Sequence, residues 1–463
     1  MWRYLLASLS VVFFFSCKKE GLLTSSDAPL QFTVDSLYFD TVFTTAGSVT
    51  KSLRIKNDNN QRIRINRIHL AGGQASVFRI NVNGEQGPEI GSLEIDGGDS
   101  AHVFVNLTIP ADNETQPFLV RDSISVQWNG KEKWIQLSAY GQNARYIKEG
   151  IISGTITWDA ELPYVLIGPL TVEEGGHLHL EKGTRIYAEA DAPVLVYGRL
   201  TAEGDTAAAD RVVFNGSRLD APYSGYPASW PGIYFFESSA GNQLHYTSIQ
   251  NAYQAVVVQG SGNGPTTQLE LEQVIINNAW DGGIIAINAS VDAKNLLITN
   301  CGQNLRIAGG GYYRFDHCTI AAISNDMMLH KDPMVTISNI VSINSQTIEN
   351  PLDLRFRNCI IWGDGNAVEN EVVAQREGSS PYKILFETGI WKMVQPSSLI
   401  ESIDMLQENP LFEQFAPGVN HYNFRLREPS PAIDRGLDLG LPLDLDGNPR
   451  SDGRPDLGAY EKQ

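Results

Sequence analysis

The segment Leu271-Glu272-Gln273-Val274-Ile275-Ile276 returns as Ala293-Lys294-Asn295-Leu296-Leu297-Ile298, Phe315-Asp316-His317-Cys318-Thr319-Ile320, Ile337-Ser338-Asn339-Ile340-Val341-Ser342 and Phe356-Arg357-Asn358-Cys359-Ile360-Ile361. The first residues of these segments stand 22, 22, 22 and 19 positions apart. A short β-rich unit repeated at that interval cannot bury its apolar face alone and does so by stacking on its neighbours, which predicts a parallel β-coil. The third position of the repeat reads Gln273, Asn295, His317, Asn339 and Asn358. A coil turns sharply there: Asn tolerates left-handed backbone, and stacked amides bond to one another along the axis. His317 is therefore read as a rung of a polar ladder rather than as a catalytic base.

The fourth and sixth positions face inward. Cys318 and Cys359 share the fourth with Ile340 between them, so they are expected two rungs apart, about 9.6 Å at a rung spacing of about 4.8 Å. That is too far for a disulfide, and both read as small core residues. The fifth position (Ile275, Leu297, Thr319, Val341, Ile360) faces outward and is followed by Ile343 and Trp362 in the next outward column. So apolar an outer face calls for a cover, and the C-terminal segment is the obvious candidate.

Working outward, the 463-residue chain shows β-branched runs and turn clusters with no long stretch at helical period, which is an all-β pattern. Residues 31–145 carry short alternating strands, among them Ser52-Leu53-Arg54-Ile55-Lys56-Asn57, Phe78-Arg79-Ile80 and the run from Ala101 to Ile109. About seven strands at that spacing suggest a β-sandwich. Their order is similar to the immunoglobulin-like modules that precede bacterial surface domains, which implies a spacer. Residues 17–30 read as a flexible tether, with Ser, Thr and Gly over 21–29.

At the N-terminus, Arg3 and the apolar run over residues 4–15 form a signal peptide, too short to span a bilayer. Phe14-Phe15-Ser16-Cys17 resembles a lipobox, which implies cleavage after residue 16, a diacylglycerol on Cys17 and attachment to a Gram-negative outer membrane. Lys18-Lys19-Glu20 resembles the tag that sends some lipoproteins to the cell surface. Removing residues 1–16, which hold Arg3 and no acid, changes the formal charge from −18 to −19. Without a basic stripe such a chain is no partner for nucleic acid. Three cysteines remain, Cys301, Cys318 and Cys359, an odd number for a disulfide framework.

Two further stretches carry a family resemblance. Leu178-His179-Leu180-Glu181-Lys182-Gly183-Thr184, then Tyr197-Gly198-Arg199-Leu200-Thr201 and Trp230-Pro231-Gly232-Ile233-Tyr234-Phe235, are similar to the opening coils of pectate-lyase-like proteins. The resemblance implies a right-handed parallel β-helix over residues 146–405. Asn409-Pro410-Leu411-Phe412, Ser430-Pro431-Ala432-Ile433-Asp434-Arg435-Gly436 and Pro455-Asp456-Leu457-Gly458-Ala459-Tyr460-Glu461 resemble the tail called choice-of-anchor Q, which implies that residues 406–463 pack on the helix as a cap.

Enzymes of the pectate-lyase-like class carry their chemistry on the outer face of the strand after the repeat. With Ile285, Ile287, Leu305, Ile307, Met327 and Leu329 taken as inward, Arg306, Asp326 and His330 face out: a cation for a uronate carboxylate beside groups able to take a proton. A solvated charged face explains the same three residues. Tyr223, Tyr226 and Trp280 lie in loops able to offer ring faces to sugars, whereas Trp230 is expected to pack in a coil corner. The acidic loop from Asp444 to Asp452 invites calcium, although Gly447 and Pro449 break the pattern of calcium hands. No other cofactor or metal is implied. The sequence thus supports a monomeric surface lipoprotein that binds polysaccharide, a polysaccharide lyase or glycoside hydrolase, or an adhesin.

Overall fold

The computed structural model describes residues 21–262, 264–343, 346–416, 422–450 and 453–463. The expected signal peptide and the expected lipid attachment site at Cys17 lie outside them. The chain divides into two units, residues 1–142 and 143–463.

The first unit holds two five-stranded sheets. One contains Lys51–Lys56, Phe78–Val82 and Ser100–Leu107; the other contains Ser36–Phe43, Ile63–Leu70, Phe118–Trp128 and Lys131–Gln142. Alternate residues point inward, and Ile55, Val103, Ile65, Val126 and Ile135 meet in one buried cluster drawn from both sheets. The stretch expected to be a tether is bound from Leu23 onward: the Leu23 amide donates to the Arg62 carbonyl, and Trp128 Nε1 donates to the Ala28 carbonyl at 3.1 Å. The sequence hid this because the few apolar residues here, Leu22, Leu23, Ala28 and Leu30, are set among Gly, Thr, Ser, Asp and Pro without an alternating pattern.

The second unit is all β and contains one long parallel sheet that coils. From Arg145–Lys148 to Gln254–Gln259 each strand pairs in parallel with the strand three further along the chain, so every turn contributes to three faces; beyond that, long strands such as Gly282–Lys294 run through two faces at once. The first face includes Tyr164–Ile167, Thr247–Gln250, Ile275–Asn277, Leu297–Thr299 and Thr319–Ala322. The second includes Ile233–Phe235, Gln254–Gln259, the starts of Gly282–Lys294 and Gln303–Asp316, then Val335–Ser338 and Val372–Gln375. The third includes Asn242–His245, Leu269–Glu272, the ends of the two long strands, and the starts of Leu352–Gly363 and Tyr382–Trp391. Inside, residues in register stack on their own kind, as in Phe315, Phe356 and Phe386 with ring centroids 4.7 and 4.5 Å apart.

Leu271, Ala293, Phe315 and Phe356 do lie in one column. Ile337 does not: it pairs with Ile307 on the second face, and Asn339 leads into an antiparallel hairpin, Ile340–Ile343 with Gln346–Glu349. The 22-residue interval before Ile337 is coincidental, because this turn is lengthened by the loop before Val335 and by the hairpin. Cys318 and Cys359 are therefore on adjacent rungs, with Cys359 Sγ 3.4 Å from the Cys318 amide nitrogen; both are buried free thiols. A one-residue slip also misassigned Ile285 and Ile287, which lie in the outward columns with Arg306 and Ala308, whereas Ile284, Ala286, Leu305 and Ile307 face in.

The turn between the third and first faces follows from the ladder residues. Gln273, Asn295, His317 and Asn358 all have φ between 50° and 54°, and the amide of each of the first three bonds the carbonyl preceding the next. Their side chains, however, mostly bond the C-terminal segment instead of one another. Asn358 Nδ2 donates to His317 Nε2 and to the Leu437 carbonyl, both at 2.8 Å, and Asn358 Oδ1 accepts from the Leu437 amide at 2.9 Å. Asn295 Nδ2 donates to the Leu443 carbonyl, and its Oδ1 accepts from Arg450. Arg450 in turn binds Glu461 at 2.6 Å, with both side chains buried. Asn339 sits elsewhere, bonded to the backbone of Glu377.

Thus anchored, the segment lays Phe412, Phe424, Leu445, Leu457 and Ala459 over the outward Leu297, Ala321, Ile360 and Ile390. Each large apolar side chain so buried contributes roughly 2 kcal/mol. Gly458, at φ +86°, is needed for this approach: a Cβ there would come 2.7 Å from Thr319 Oγ1.

Asn358→Ala leaves the Leu437 backbone and His317 without partners and should lower stability by about 3 kcal/mol, read by denaturant unfolding. Burial holds the His317 imidazole well below its usual pKa of 6.5, followed by the nearby Arg450 charge. The unfolded chain then binds more protons than the folded one below pH 6.5, so stability falls as pH drops through that value. His317→Asn should flatten this loss between about pH 6.5 and 5; an unchanged pH profile contradicts it.

Candidate functional site

At the other side of the first face, where it turns into the second, Asn251, Asn278 and Asn300 also take left-handed backbone, with φ of 61°, 62° and 51°. Here the amides do bond rung to rung: Asn278 Nδ2 donates to Asn251 Oδ1 at 2.7 Å, and Asn251 Nδ2 to Asn215 Oδ1 at 2.9 Å. The same amides hold the aromatic loop through the carbonyls of Ser224 and Gly225. This corner was missed in the sequence. Its signal was present, since Asn251, Asn278 and Asn300 follow one another at coil spacing.

Beside this ladder lies a groove of about 950 Å³. Its floor includes Ile275, Leu297 and Thr299 of the first face, and its walls are the loop from Ser324 to Leu329, the backbone at Ser224 and Gly225, and Tyr422, Phe424 and Tyr460 of the C-terminal segment. Thr299 is 3% exposed, and its Oγ1 has no hydrogen-bond partner. Arg425 at the groove is paired with Asp446 at 2.5 Å and lies over the Tyr460 ring. Burial raises the Tyr422 phenol, opposed by a bond with Asn325 and aided by the charges of Asp364 and Asp326.

Of the sequence candidates, Asp326 lines this groove, and Tyr223 and Tyr226 stand in its wall loop with rings 5.3 Å apart. Arg218 stacks on Tyr223 at 4.1 Å while bound to Asp220. Trp280 lies on the second-face side of the corner. It is 47% exposed, and Tyr253, one rung before it, is 45% exposed; the Asp281 amide donates to the Tyr253 carbonyl. Next to these rings Gln254 donates to Asp281, which lies 3.6 Å from Arg306, while Arg306 Nε donates to Gln303. Trp230 is buried, with Nε1 bonded to the Gln250 carbonyl.

The proposed Arg306, Asp326 and His330 set is not brought together. Residues 326–330 form an irregular loop rather than a strand, with Met327 and Leu329 exposed instead of inward. Arg306 lies on the second face, Asp326 lines the groove, and His330 turns inward to Glu371 at 2.9 Å, both nearly inaccessible. The alternating pattern that suggested a strand belongs to a loop whose apolar tips contact solvent.

Two cation candidates remain. In the acidic loop, Asp444 Oδ1 accepts the amides of Asp446 and Asn448, and Oδ2 accepts the Glu461 amide, so its lone pairs already meet donors; Asp452 lies outside the described residues. On the third face, ligand atoms of His245, Glu270 and Glu272 lie within 4.8 Å of one another, but Lys294 already binds Glu270 at 3.1 Å.

No family model and no curated protein matches this chain. Among solved structures, the catalytic unit of a thermostable α-1,3-glucanase from Streptomyces thermodiastaticus aligns at 10% identity over 81% of this chain and 90% of its own, with a TM-score of 0.21. A family 123 glycoside hydrolase from Clostridium perfringens aligns at 14% identity over 24% of this chain, TM-score 0.19; this chain spans about a quarter (26%) of that enzyme. A PapD-like domain of human CEP192 aligns at 12% identity over 31% of this chain and 100% of its own, TM-score 0.18. Matches at these scores define neither a shared fold nor a shared site.

The donor-filled Asp444 loop predicts that calcium leaves the melting temperature unchanged relative to chelator. A calcium-dependent rise that Asp444→Asn abolishes would show the loop to be a cation site.

Proposed function

We propose that this chain is an exported surface lipoprotein, anchored through Cys17, that binds a polysaccharide along the corner groove of a right-handed β-helix. Right-handedness follows the near-universal hand of parallel crossover connections. The first unit, taken as immunoglobulin-like, serves as a spacer, and the C-terminal segment, taken as choice-of-anchor Q, supplies one groove wall.

The observation that carries this reading is the side-by-side placement of exposed rings, Tyr253 and Trp280, and a groove lined by amides, hydroxyls and aromatic residues. Rungs of the coil repeat about every 4.8 Å, so two successive turns offer the Tyr253 and Trp280 rings, beside polar groups, to an extended, repeating ligand. Sugars use both kinds of contact: C–H faces pack on aromatic rings, and hydroxyls bond to polar groups that fix orientation. Catalysis by Arg306, Asp326 and His330 has no geometric support, since the three face different surroundings.

A glycan array with the full chain, paired with an absorbance assay for unsaturated uronate, tests the proposal. Binding without turnover is expected. Trp280→Ala and Tyr253→Ala should each weaken it on the order of ten-fold, the loss of one aromatic contact. Unsaturated products that vanish in Arg306→Ala would establish a lyase instead, and neither binding nor turnover would favour an adhesin.

A further inference from the structure

The charges around the groove bear on which sugar it takes. Asp326 lines it, and Asp364 stands behind its loop wall, accepting the Ser324 amide at 3.2 Å. Among the described lining residues the one cation is Arg425, and its guanidinium is already committed twice over: Nε and a terminal nitrogen reach Asp446 Oδ2 at 2.7 and 2.5 Å, and its Cζ lies 4.6 Å from the Tyr460 ring centre. Arg218, on the neighbouring loop, is similarly bound to Asp220. The remaining polar lining consists of neutral groups such as Asn277, Thr299, Asn300 and Asn325. The Thr299 hydroxyl is buried, without a hydrogen-bond partner, and belongs to a residue that lines the groove, so a ligand hydroxyl seated there would complete its bonding.

We infer that the groove selects an uncharged polysaccharide, a polymer of neutral hexoses or N-acetylated hexosamines, and rejects polyuronates and sulfated glycans. This rests on the polysaccharide-binding reading and narrows it. A polyanion entering here meets carboxylates with no uncommitted cation to receive its own charge, and it would have to displace Asp446 from Arg425 to gain one. A neutral sugar needs only what the groove holds: amide donors and acceptors, one waiting hydroxyl, and ring faces. The overall charge of −18 adds a long-range repulsion of the same sign.

Calorimetric titration of the full chain with neutral gluco- and manno-oligosaccharides, N-acetylglucosamine oligomers and oligogalacturonate, of equal length and at low salt, tests this. At least one neutral ligand should bind about ten-fold or more tighter than oligogalacturonate, a gap that narrows as salt screens the carboxylates. Thr299→Val, of nearly the same shape, should weaken the neutral ligand on the order of five-fold with the melting temperature retained. Asp326→Asn should narrow the gap between neutral ligand and oligogalacturonate. Equal or tighter binding of oligogalacturonate, or a gap untouched by Asp326→Asn, overturns the inference while leaving the polysaccharide reading in place. Absence of binding across every oligosaccharide and a wider glycan array removes that reading as well.

Discussion

The structure of the second unit depends on how a parallel coil turns while keeping its backbone bonded. At the corner between the third and first faces, one residue per turn takes a left-handed conformation, which costs an ordinary side chain one to two kcal/mol but suits Asn. Having accepted that residue type, the coil gains a row of amides pointing outward at the rim of an apolar sheet. Asn295 and Asn358 bond backbone groups of Leu443 and Leu437, and Asn295 also accepts from the Arg450 side chain. The turn chemistry and the fastening of the C-terminal segment are one interaction viewed from two sides.

That coupling explains why the first face tolerates Leu297, Ile360 and Ile390 on its outside. An isolated coil with such a face would expose a continuous apolar stripe. The buried Arg450 and Glu461 pair sets the position of the cover more than its strength, because a buried ion pair returns little beyond its own desolvation. The opposite corner uses the same residue type differently. There the amides of Asn215, Asn251 and Asn278 bond to one another and to the aromatic loop, which leaves the adjacent groove open.

Much of this architecture was legible because side-chain stacking imposes a period on the sequence. The columns through Leu271, Ala293 and Phe315 were correct since these turns are of uniform length. The period failed where it was interrupted: Ile337 matched by chance while the chain detoured through a hairpin, and that one false rung displaced Cys359 by a full turn. Facing on the second sheet was harder to read, since both Ile284 and Ile285 are apolar and a slip of one residue inverts the strand. The groove was only partly visible. Asp326 and the tyrosine loop were singled out, but Thr299, Tyr422 and Tyr460 come from segments far apart in sequence, and no local pattern joins them.

Hydrogen exchange on the intact protein tests most directly whether the corner amides clamp the C-terminal segment to the coil. The amides of Leu437, Leu445, Gly458 and Ala459 each have a specific acceptor. They should exchange as slowly as those of Leu297–Thr299 beneath them, in one cooperative unit. Rapid exchange at these four positions, with Leu297–Thr299 still protected, would show the segment to be a loose tail and would contradict the account.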